Sequence, residues 1–142
     1  MKQSGVNWVI MEDSKIEEIL QKYNRVTVVG ISSNTSRASF VVSKVLVDRG
    51  YQVDGVNPKE TNILGCPIYP NLRDVPQPLE IVDVFRAPEH VPALIDELIP
   101  LKPKVIWLQE GVTHPESEEK ARKAGIEVVS DLCIKKEIYR LL

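Results

Sequence analysis

The sequence is poor in cysteine and aromatic residues and carries no strong charge of either sign. Its two cysteines, Cys66 and Cys133, are too few for a disulfide framework and lack the paired spacing of a zinc site, so we expect reduced thiols and no metal. No apolar run approaches the roughly 18 to 20 residues of a membrane-spanning helix. A net charge of -2 offers no basic field to nucleic acid or anionic lipid. We therefore expect a cytoplasmic protein with small-molecule partners, no nucleic acid and no membrane.

The overall composition is typical of one globular domain. Hydrophobic residues make up 43% and charged residues 27% of the 142 residues, both close to the averages for folded proteins. A chain of this length buries about two-thirds of its unfolded surface when it folds. We expect residues 1–142 to form a single domain, with residues 1–12 as an N-terminal arm.

Apolar runs and helical patterns alternate along the chain. Five short, nearly continuous apolar runs are typical of strands that are buried on both faces; they span residues 26–29, 52–56, 81–85, 105–108 and 127–129. Helical patterns occupy residues 13–23, 39–50, 88–100, 114–125 and 133–142. This alternation predicts an α/β protein, a Rossmann-like three-layer sandwich whose five-stranded parallel sheet has the order 3-2-1-4-5 and helices on both faces.

The connection formed by residues 57–80 contains five prolines. Proline cannot donate a ladder hydrogen bond, and it breaks helices. In this connection we expect only a short edge strand at residues 67–69 and one helical turn at residues 72–75.

The segment after the first strand, residues 30–39, is the best candidate for a ligand site. Ligands of open parallel sheets bind beyond the carboxyl ends of the strands, where the strand order reverses. Here Gly30 is followed by a run of hydroxyl side chains that leads into a helix, and the free amides of a helix N-terminus favour phosphate. Ser32 and Thr35 stand where the dinucleotide-binding G-x-G-x-x-G motif needs glycine, and the segment is not a P-loop.

The same rule nominates residues 57–59, 86–87 and 109–111. The second strand ends in Asn57-Pro58-Lys59, without the acid that NAD enzymes place on the ribose, which argues against ordinary NAD binding. The topology brings Arg37, Lys59 and Arg86 to one rim, and three cations suit a polyphosphate. We expect a nucleotide with several phosphates to bind at this rim.

The sequence contains no visible catalytic constellation. Glu110 lies at the predicted site, but nothing flanking it forms a nucleophile and base arrangement. His90 and His114 stand near helix starts without neighbours at metal-binding spacing. We therefore expect no catalytic residues and a binding protein rather than an enzyme.

Five stretches of the sequence carry a family resemblance: VTVVGISSNTSR, GYQVDGVNPKETNILGCPIYPNL, VDVFRAPEHVP, VIWLQEGV and AGIEVVSDLCIKKE. In this order they resemble the small stand-alone CoA-binding proteins. These proteins are similar to the CoA-binding domain of the succinyl-CoA synthetase α subunit and of NDP-forming acyl-CoA synthetases. The resemblance covers roughly residues 15–142.

The resemblance implies that coenzyme A is the cofactor and that its site lies at the four nominated segments. The loop after the first strand would hold the phosphates, the end of the second strand would lie along the adenosine, and the other two segments would border the pantetheine arm. The candidate residues are Gly30, Ile31, Ser32, Arg37, Ser39, Val56, Asn57, Pro58, Lys59, Phe85, Arg86, Ala87, Gln109 and Gly111.

The function expected from these observations is non-catalytic binding of CoA or a short acyl-CoA by a carrier, sensor or regulatory subunit. The multidomain synthetases carry a phosphorylated histidine in a separate domain that has no counterpart here, so ligase activity is not implied. The alternatives are an NAD(P)-dependent oxidoreductase in which Arg37 or Lys59 reads a 2′-phosphate, and a redox protein that forms a mixed disulfide with CoA through Cys133. A homodimer, or a synthetase partner for which the chain has a structural role, is also considered.

Overall fold

The computed structural model describes residues 11–142. The predicted N-terminal arm, residues 1–12, therefore lies almost entirely outside the described residues. The helices are α1 (Asp13–Lys22), α2 (Ala38–Asp48), α3 (Val91–Leu101), α4 (Pro115–Lys123) and α5 (Ile134–Leu141). The strands are β1 (Arg25–Val29), β2 (Gln52–Val56), β3 (Asn62–Ile63), β4 (Cys66–Tyr69), β5 (Ile81–Val84), β6 (Val105–Leu108) and β7 (Glu127–Val129). None of the helices within residues 11–142 is long and apolar enough to cross a bilayer.

The predicted class is confirmed: the chain is an α/β Rossmann-like sandwich with helices on both faces of the sheet. One face is covered by α1, α2 and α5, whose apolar side chains share a core with Val26, Val28 and Trp107 of the sheet. The other face is covered by α3 and α4, which pack on Val82 and Val84. The near-continuous apolar runs of the strands therefore bury both sheet faces, as the sequence predicts.

The predicted strand number and strand order are wrong. The sheet has seven strands in the order β3-β4-β2-β1-β5-β6-β7, and only the β3–β4 pair is antiparallel. In the order 3-2-1-4-5 the third predicted strand lies beside β2 at the edge of the sheet. In the structure this strand is β5, and it pairs with β1 instead, with Val26 opposite Ile81 and Val29 opposite Val84.

The error lies in the proline-rich connection. Its predicted edge strand, observed as β4, pairs in parallel with β2 and takes the place beside β2 that the predicted order gives to residues 81–85. The pairing uses Ile68 and Tyr69, so the missing amide of Pro67 costs the sheet nothing there. The expected helical turn is also present, at Leu72–Asp74.

Asp54 is a buried carboxylate that fixes the start of the sheet. It accepts hydrogen bonds from Arg25 at 2.6 Å and from the Thr27 hydroxyl at 2.6 Å. The backbone amides of Asn24 and Arg25 both donate to the Glu80 carboxylate. These contacts tie β1 to β2 and to the start of β5 at the end of the sheet opposite the candidate site.

Asp83 is also a buried carboxyl, but unlike Asp54 it has no partner within residues 11–142. It lies in the centre of the sheet between Val28 and Trp107, is fully buried, and has no hydrogen-bond partner for either oxygen among residues 11–142. Burial raises the pKa of Asp83 well above its usual value. An unpaired carboxyl in such surroundings is held in its neutral form.

We expect Asp83→Val to raise the free energy of unfolding at pH 7 by about 1 to 3 kcal/mol. The unfolded chain ionises Asp83 at its ordinary pKa while the folded chain ionises it only at higher pH. Wild-type stability therefore falls as pH rises above about 4, and the gain from the variant grows over the same range.

Urea unfolding of both proteins between pH 4 and pH 8 measures this gain. The matched control is Asp54→Val, which removes a paired buried carboxylate and leaves Arg25 without its partner, so it lowers stability. A loss of stability in Asp83→Val that is the same at every pH contradicts the interpretation.

Candidate functional site

A cleft of about 740 Å³ opens at the carboxyl ends of β1, β5 and β6. At this point the chain leaves β1 towards α2 on one face of the sheet and leaves β5 towards α3 on the other. Diverging connections of adjacent strands create the crevice in which open α/β sheets bind ligands. The cleft therefore lies where the strand-end rule predicts a site.

Ten of the fourteen residues predicted from the sequence line this cleft. Val56 lines a smaller neighbouring pocket instead. Pro58 and Lys59 are exposed and lie outside the cleft lining. Gly111 also lies outside it, and its amide donates to Asp131 Oδ1 at 2.7 Å. The residues that come together are Gly30, Ile31, Ser32, Arg37, Ser39, Asn57, Phe85, Arg86, Ala87 and Gln109.

Two glycines allow the β1–α2 loop to lie close to its neighbours. Gly30 has a φ of +86°, and a Cβ at this position would overlap the carbonyl oxygen of Phe85. A Cβ on Gly55 of β2 would lie 2.6 Å from Cγ2 of Ile31. The absence of both side chains lets Ile31 bury itself against β2 and directs the following residues along the cleft.

The residues between Ile31 and α2 form a loop that is held by its own side chains. Ser32 Oγ accepts from the Asn34 amide at 3.0 Å, and Asn34 Oδ1 accepts from the Ser36 amide at 3.0 Å. Arg37, at the N-cap of α2, makes no side-chain cap hydrogen bond. Because a helix does not satisfy its own first amides, the N-terminus of α2 faces the cleft with donors for an anion.

Cations outnumber acids along the cleft. Arg37, Arg86 and Lys135 line it and form no ion pair with any of residues 11–142. Lys136 pairs with Glu110 at 2.9 Å, and this hydrogen bond raises the pKa of the lysine. The lining therefore carries an excess of positive charge next to the open helix N-terminus.

Two amide side chains that line the cleft brace its walls. Asn57 Nδ2 donates to the carbonyl of Ile31 at 2.8 Å, and Asn57 Oδ1 accepts from the Lys59 amide at 2.8 Å. Gln109 Oε1 accepts from the amide of Ile134, the first residue of α5, at 3.1 Å. These side chains fix the two loops and the start of α5, roles that the sequence alone does not reveal.

Part of the cleft wall comes from the segment after β7, which lies outside the four nominated segments. Residues around the start of α5 follow β7, the last strand, and bring Cys133, Lys135 and Lys136 to the cleft. Because ligands bind beyond the carboxyl ends of parallel strands, the residues that follow β7 are recognisable as site candidates from the sequence. Ser36, Ala38 and Glu110 also line the cleft and fall within the nominated segments 30–39 and 109–111. The lining residues Val41, Val42 and Val112 lie outside the nominated segments.

Cys133 stands at the N-cap of α5 and is only 6% exposed. A reactive thiol needs access as well as a positive environment. The thiol therefore fits better as part of the cleft wall than as a redox centre. Within residues 11–142 no group of three His, Cys, Asp or Glu side chains is placed to hold a metal ion.

A smaller pocket of about 250 Å³ adjoins the cleft on the α3 face of the sheet. The ends of β1 and β2 form its inner wall through Val29 and Val56. Arg86 lines both this pocket and the larger cleft. The two cavities are therefore neighbours on either side of one arginine.

A family model described as a CoA binding domain matches residues 24–139. The chain belongs to the CoA-binding domain family. A curated relative, the uncharacterized protein YneT of Bacillus subtilis (strain 168), is 37% identical over 122 residues, which are 86% of this chain and 90% of the relative. The family predicted from the sequence is thus confirmed.

Solved structures show the same architecture. A hypothetical protein from Pyrococcus horikoshii OT3 has 35% identity and a TM-score of 0.87, covering 92% of each chain. A Thermus thermophilus protein has 34% identity and a TM-score of 0.88, covering 93% of this chain and 100% of its own. A dinucleotide-forming acetyl-coenzyme A synthetase from Ca. Korarchaeum cryptofilum, at 23% identity and a TM-score of 0.65, shares the fold over 26% of its length and 78% of this chain.

We expect Gly30→Ala to lower the free energy of unfolding of this CoA-binding domain by about 2 to 4 kcal/mol, because strain at positive φ adds to the overlap with Phe85. The control is Gly125→Ala, where φ is +88° but an added Cβ meets no atom within 4 Å. That variant bears the backbone strain alone and loses about 1 kcal/mol. Equal losses in chemical denaturation contradict the close approach of β1 and β5.

Proposed function

We propose that the chain binds coenzyme A or a short acyl-CoA as a non-catalytic module that acts as a carrier, sensor or regulatory subunit. The observation that carries the proposal is the convergence on one cleft of residues that follow separate strands. Gly30, Asn57, Phe85 and Gln109 come from the ends of four different strands and share its lining. Family membership agrees with a CoA ligand.

The charge of the cleft suits the phosphates of CoA. The amides at the start of α2 provide oriented donors, and Arg37 and Arg86 provide charge on the same lining. Arginine matches phosphate geometry through its planar set of donors. The donor set present in the cleft therefore fits a diphosphate group.

The rest of the cleft suits a long, mainly uncharged chain such as pantetheine. Val41 is 39% exposed although it is apolar, and Val42 and Val112 continue the lining beyond it. A ligand that covers Val41 removes apolar surface from water, and such burial stabilises a complex. The cleft continues to Cys133 and Lys135 at the start of α5, and its volume of about 740 Å³ leaves room for the pantetheine arm and a small acyl group.

Binding without catalysis is favoured by what surrounds the acids and thiols of the cleft. Glu110 is paired with Lys136, and Cys133 is buried without a neighbouring base among its hydrogen-bond partners in the described chain. General base and nucleophilic catalysis need such groups within hydrogen-bond reach of each other. The lining supports a role in holding a ligand.

An NAD(P)-dependent function is the alternative that the site supports less well. Both polar ends of the Asn57 side chain are engaged with the backbone of the loops. Lys59, one of the two cations considered for a 2′-phosphate, lies outside the cleft lining. The strand end that recognises the ribose in NAD enzymes therefore has no acid and no cleft-lining cation of its own.

Isothermal titration calorimetry of the purified protein tests the proposal. We expect the wild type to bind CoA and not NADPH, and Arg86→Ala to weaken CoA binding about tenfold or more, because a charge-assisted contact to phosphate is lost. Arg49→Ala is the matched control, since Arg49 lies at the opposite end of α2 and stacks on Tyr139. Its affinity for CoA stays at the wild-type value.

Binding of NADPH without binding of CoA contradicts the proposal. Unchanged CoA affinity in Arg86→Ala would instead mean that CoA binds outside this cleft, and it would favour a structural role for the cleft. The two outcomes are distinguishable, because the first shows which ligand binds and the second shows whether CoA binds in this cleft.

A further inference from the structure

Two adjacent lysines at the start of α5 line the cleft, and their surroundings differ. Lys135 is half-buried and forms no ion pair with any of residues 11–142. Lys136 is exposed and pairs with Glu110 at 2.9 Å. Of the two, Lys135 is therefore the lysine whose Nζ no carboxylate holds in place.

The start of α5 lies at some distance from the proposed phosphate position. The Ile134 amide donates to Gln109 Oε1, so α5 begins beside the end of β6. Only β5 lies between β1 and β6, and with neighbouring strands about 4.8 Å apart the ends of β1 and β6 are about 10 Å apart. A pantetheine arm that leaves a diphosphate in the β1–α2 loop spans this distance and brings its sulfur to the α5 end of the cleft.

A lysine at this end of the cleft meets the reactive group of an acyl-CoA. A thioester transfers its acyl group to an amine, and lysine is such a nucleophile once it has lost a proton. Lys135 Nζ gives one proton to water, attacks the carbonyl carbon and forms an amide bond. The carbon–sulfur bond breaks, the second proton of the amine passes to the sulfur, and CoA leaves as the free thiol. The step needs no oxidant, reductant or further substrate.

The other nucleophiles of this wall are less suited to keep an acyl group. The hydrogen bond from Glu110 raises the pKa of Lys136 and holds it as an ammonium ion, which has no free electron pair. Cys133 is only 6% exposed, and its reaction with a thioester gives another thioester, which free CoA reverses. An amide on Lys135 is not reversed by CoA, so the acyl group accumulates there.

We infer that Lys135 is a self-acylation site, to which the protein transfers the acyl group of a bound acyl-CoA in one stoichiometric step. The inference rests on the proposed function and deepens it. Lys135 is consumed rather than regenerated, so the step is not turnover. Acylation removes a positive charge from the cleft lining and fills its α5 end. The modified protein therefore binds acyl-CoA more weakly and keeps a record of the ligand, a property that suits a sensor.

Peptide mass spectrometry of the protein after incubation with acetyl-CoA tests the inference. Lys123 is the internal control, since it is exposed on α4, lies outside the cleft lining and forms no ion pair within residues 11–142. We expect Lys135 to gain an acetyl group at least about tenfold faster than Lys123, because binding holds the thioester beside it. An excess of CoA slows the reaction of Lys135 and leaves that of Lys123 unchanged.

A reagent without CoA separates binding from intrinsic reactivity. The N-hydroxysuccinimide ester of acetic acid acetylates exposed amines, and we expect it to modify Lys135 no faster than Lys123. Lys135→Arg keeps the positive charge, so it binds CoA as the wild type does, gains no acetyl group at this position and shows no faster acetylation of Lys136. In Arg86→Ala, weaker binding slows the acetylation of Lys135 and not that of Lys123.

The outcomes distinguish this inference from the proposed function, because calorimetry measures CoA binding separately. If the wild type binds CoA but acetyl-CoA modifies Lys135 and Lys123 at equal rates, self-acylation is wrong and the proposed function stands. A preference for Lys135 that the succinimide ester reproduces overturns self-acylation in the same way. If the wild type binds neither CoA nor acetyl-CoA, both are overturned.

Discussion

The close approach of β1 and β5 at their carboxyl ends is the constraint on which the site depends. The Phe85 amide donates to the Val29 carbonyl at 2.9 Å, and Gly30 passes the Phe85 carbonyl at a distance that no side chain permits. Because the chain then turns to α2 on one face and to α3 on the other, the two strand ends become the walls of a crevice. Helix N-terminus, cations and both cavities are arranged around this single contact.

A second layer of contacts makes the crevice a defined shape. Asn57 ties the β1–α2 loop to the end of β2, and Gln109 ties the end of β6 to α5. Both contacts are made within the protein, so they hold the walls without a ligand. Preformed walls lower the entropic cost of binding, and this agrees with a domain whose task is to hold a cofactor.

The sequence predicts the site best where local chemistry and topology act together. Gly30, the hydroxyl-rich loop and the start of α2 are recognisable because a strand end, a left-handed glycine and a helix N-terminus leave clear residue patterns. The strand β4 is harder to place, because Pro67 within it and Pro70 directly after it mask a pairing with β2 that uses only Ile68 and Tyr69. The contacts of Asn57 Nδ2 with Ile31 and of Gln109 with Ile134 are not predictable, since these partners are backbone atoms of segments distant in sequence. Asp83 follows no pattern either: a carboxyl in the middle of a buried strand contradicts the rule that predicts the strand.

We propose that CoA lies across the crevice with its diphosphate at the start of α2. A crystal structure of the protein grown with CoA measures this directly. We expect diphosphate oxygens within hydrogen-bond distance of the Ala38 and Ser39 amides and of Arg86, with one CoA in each crevice. CoA bound elsewhere on the surface, or a crevice that holds no CoA at saturating concentration, would contradict it.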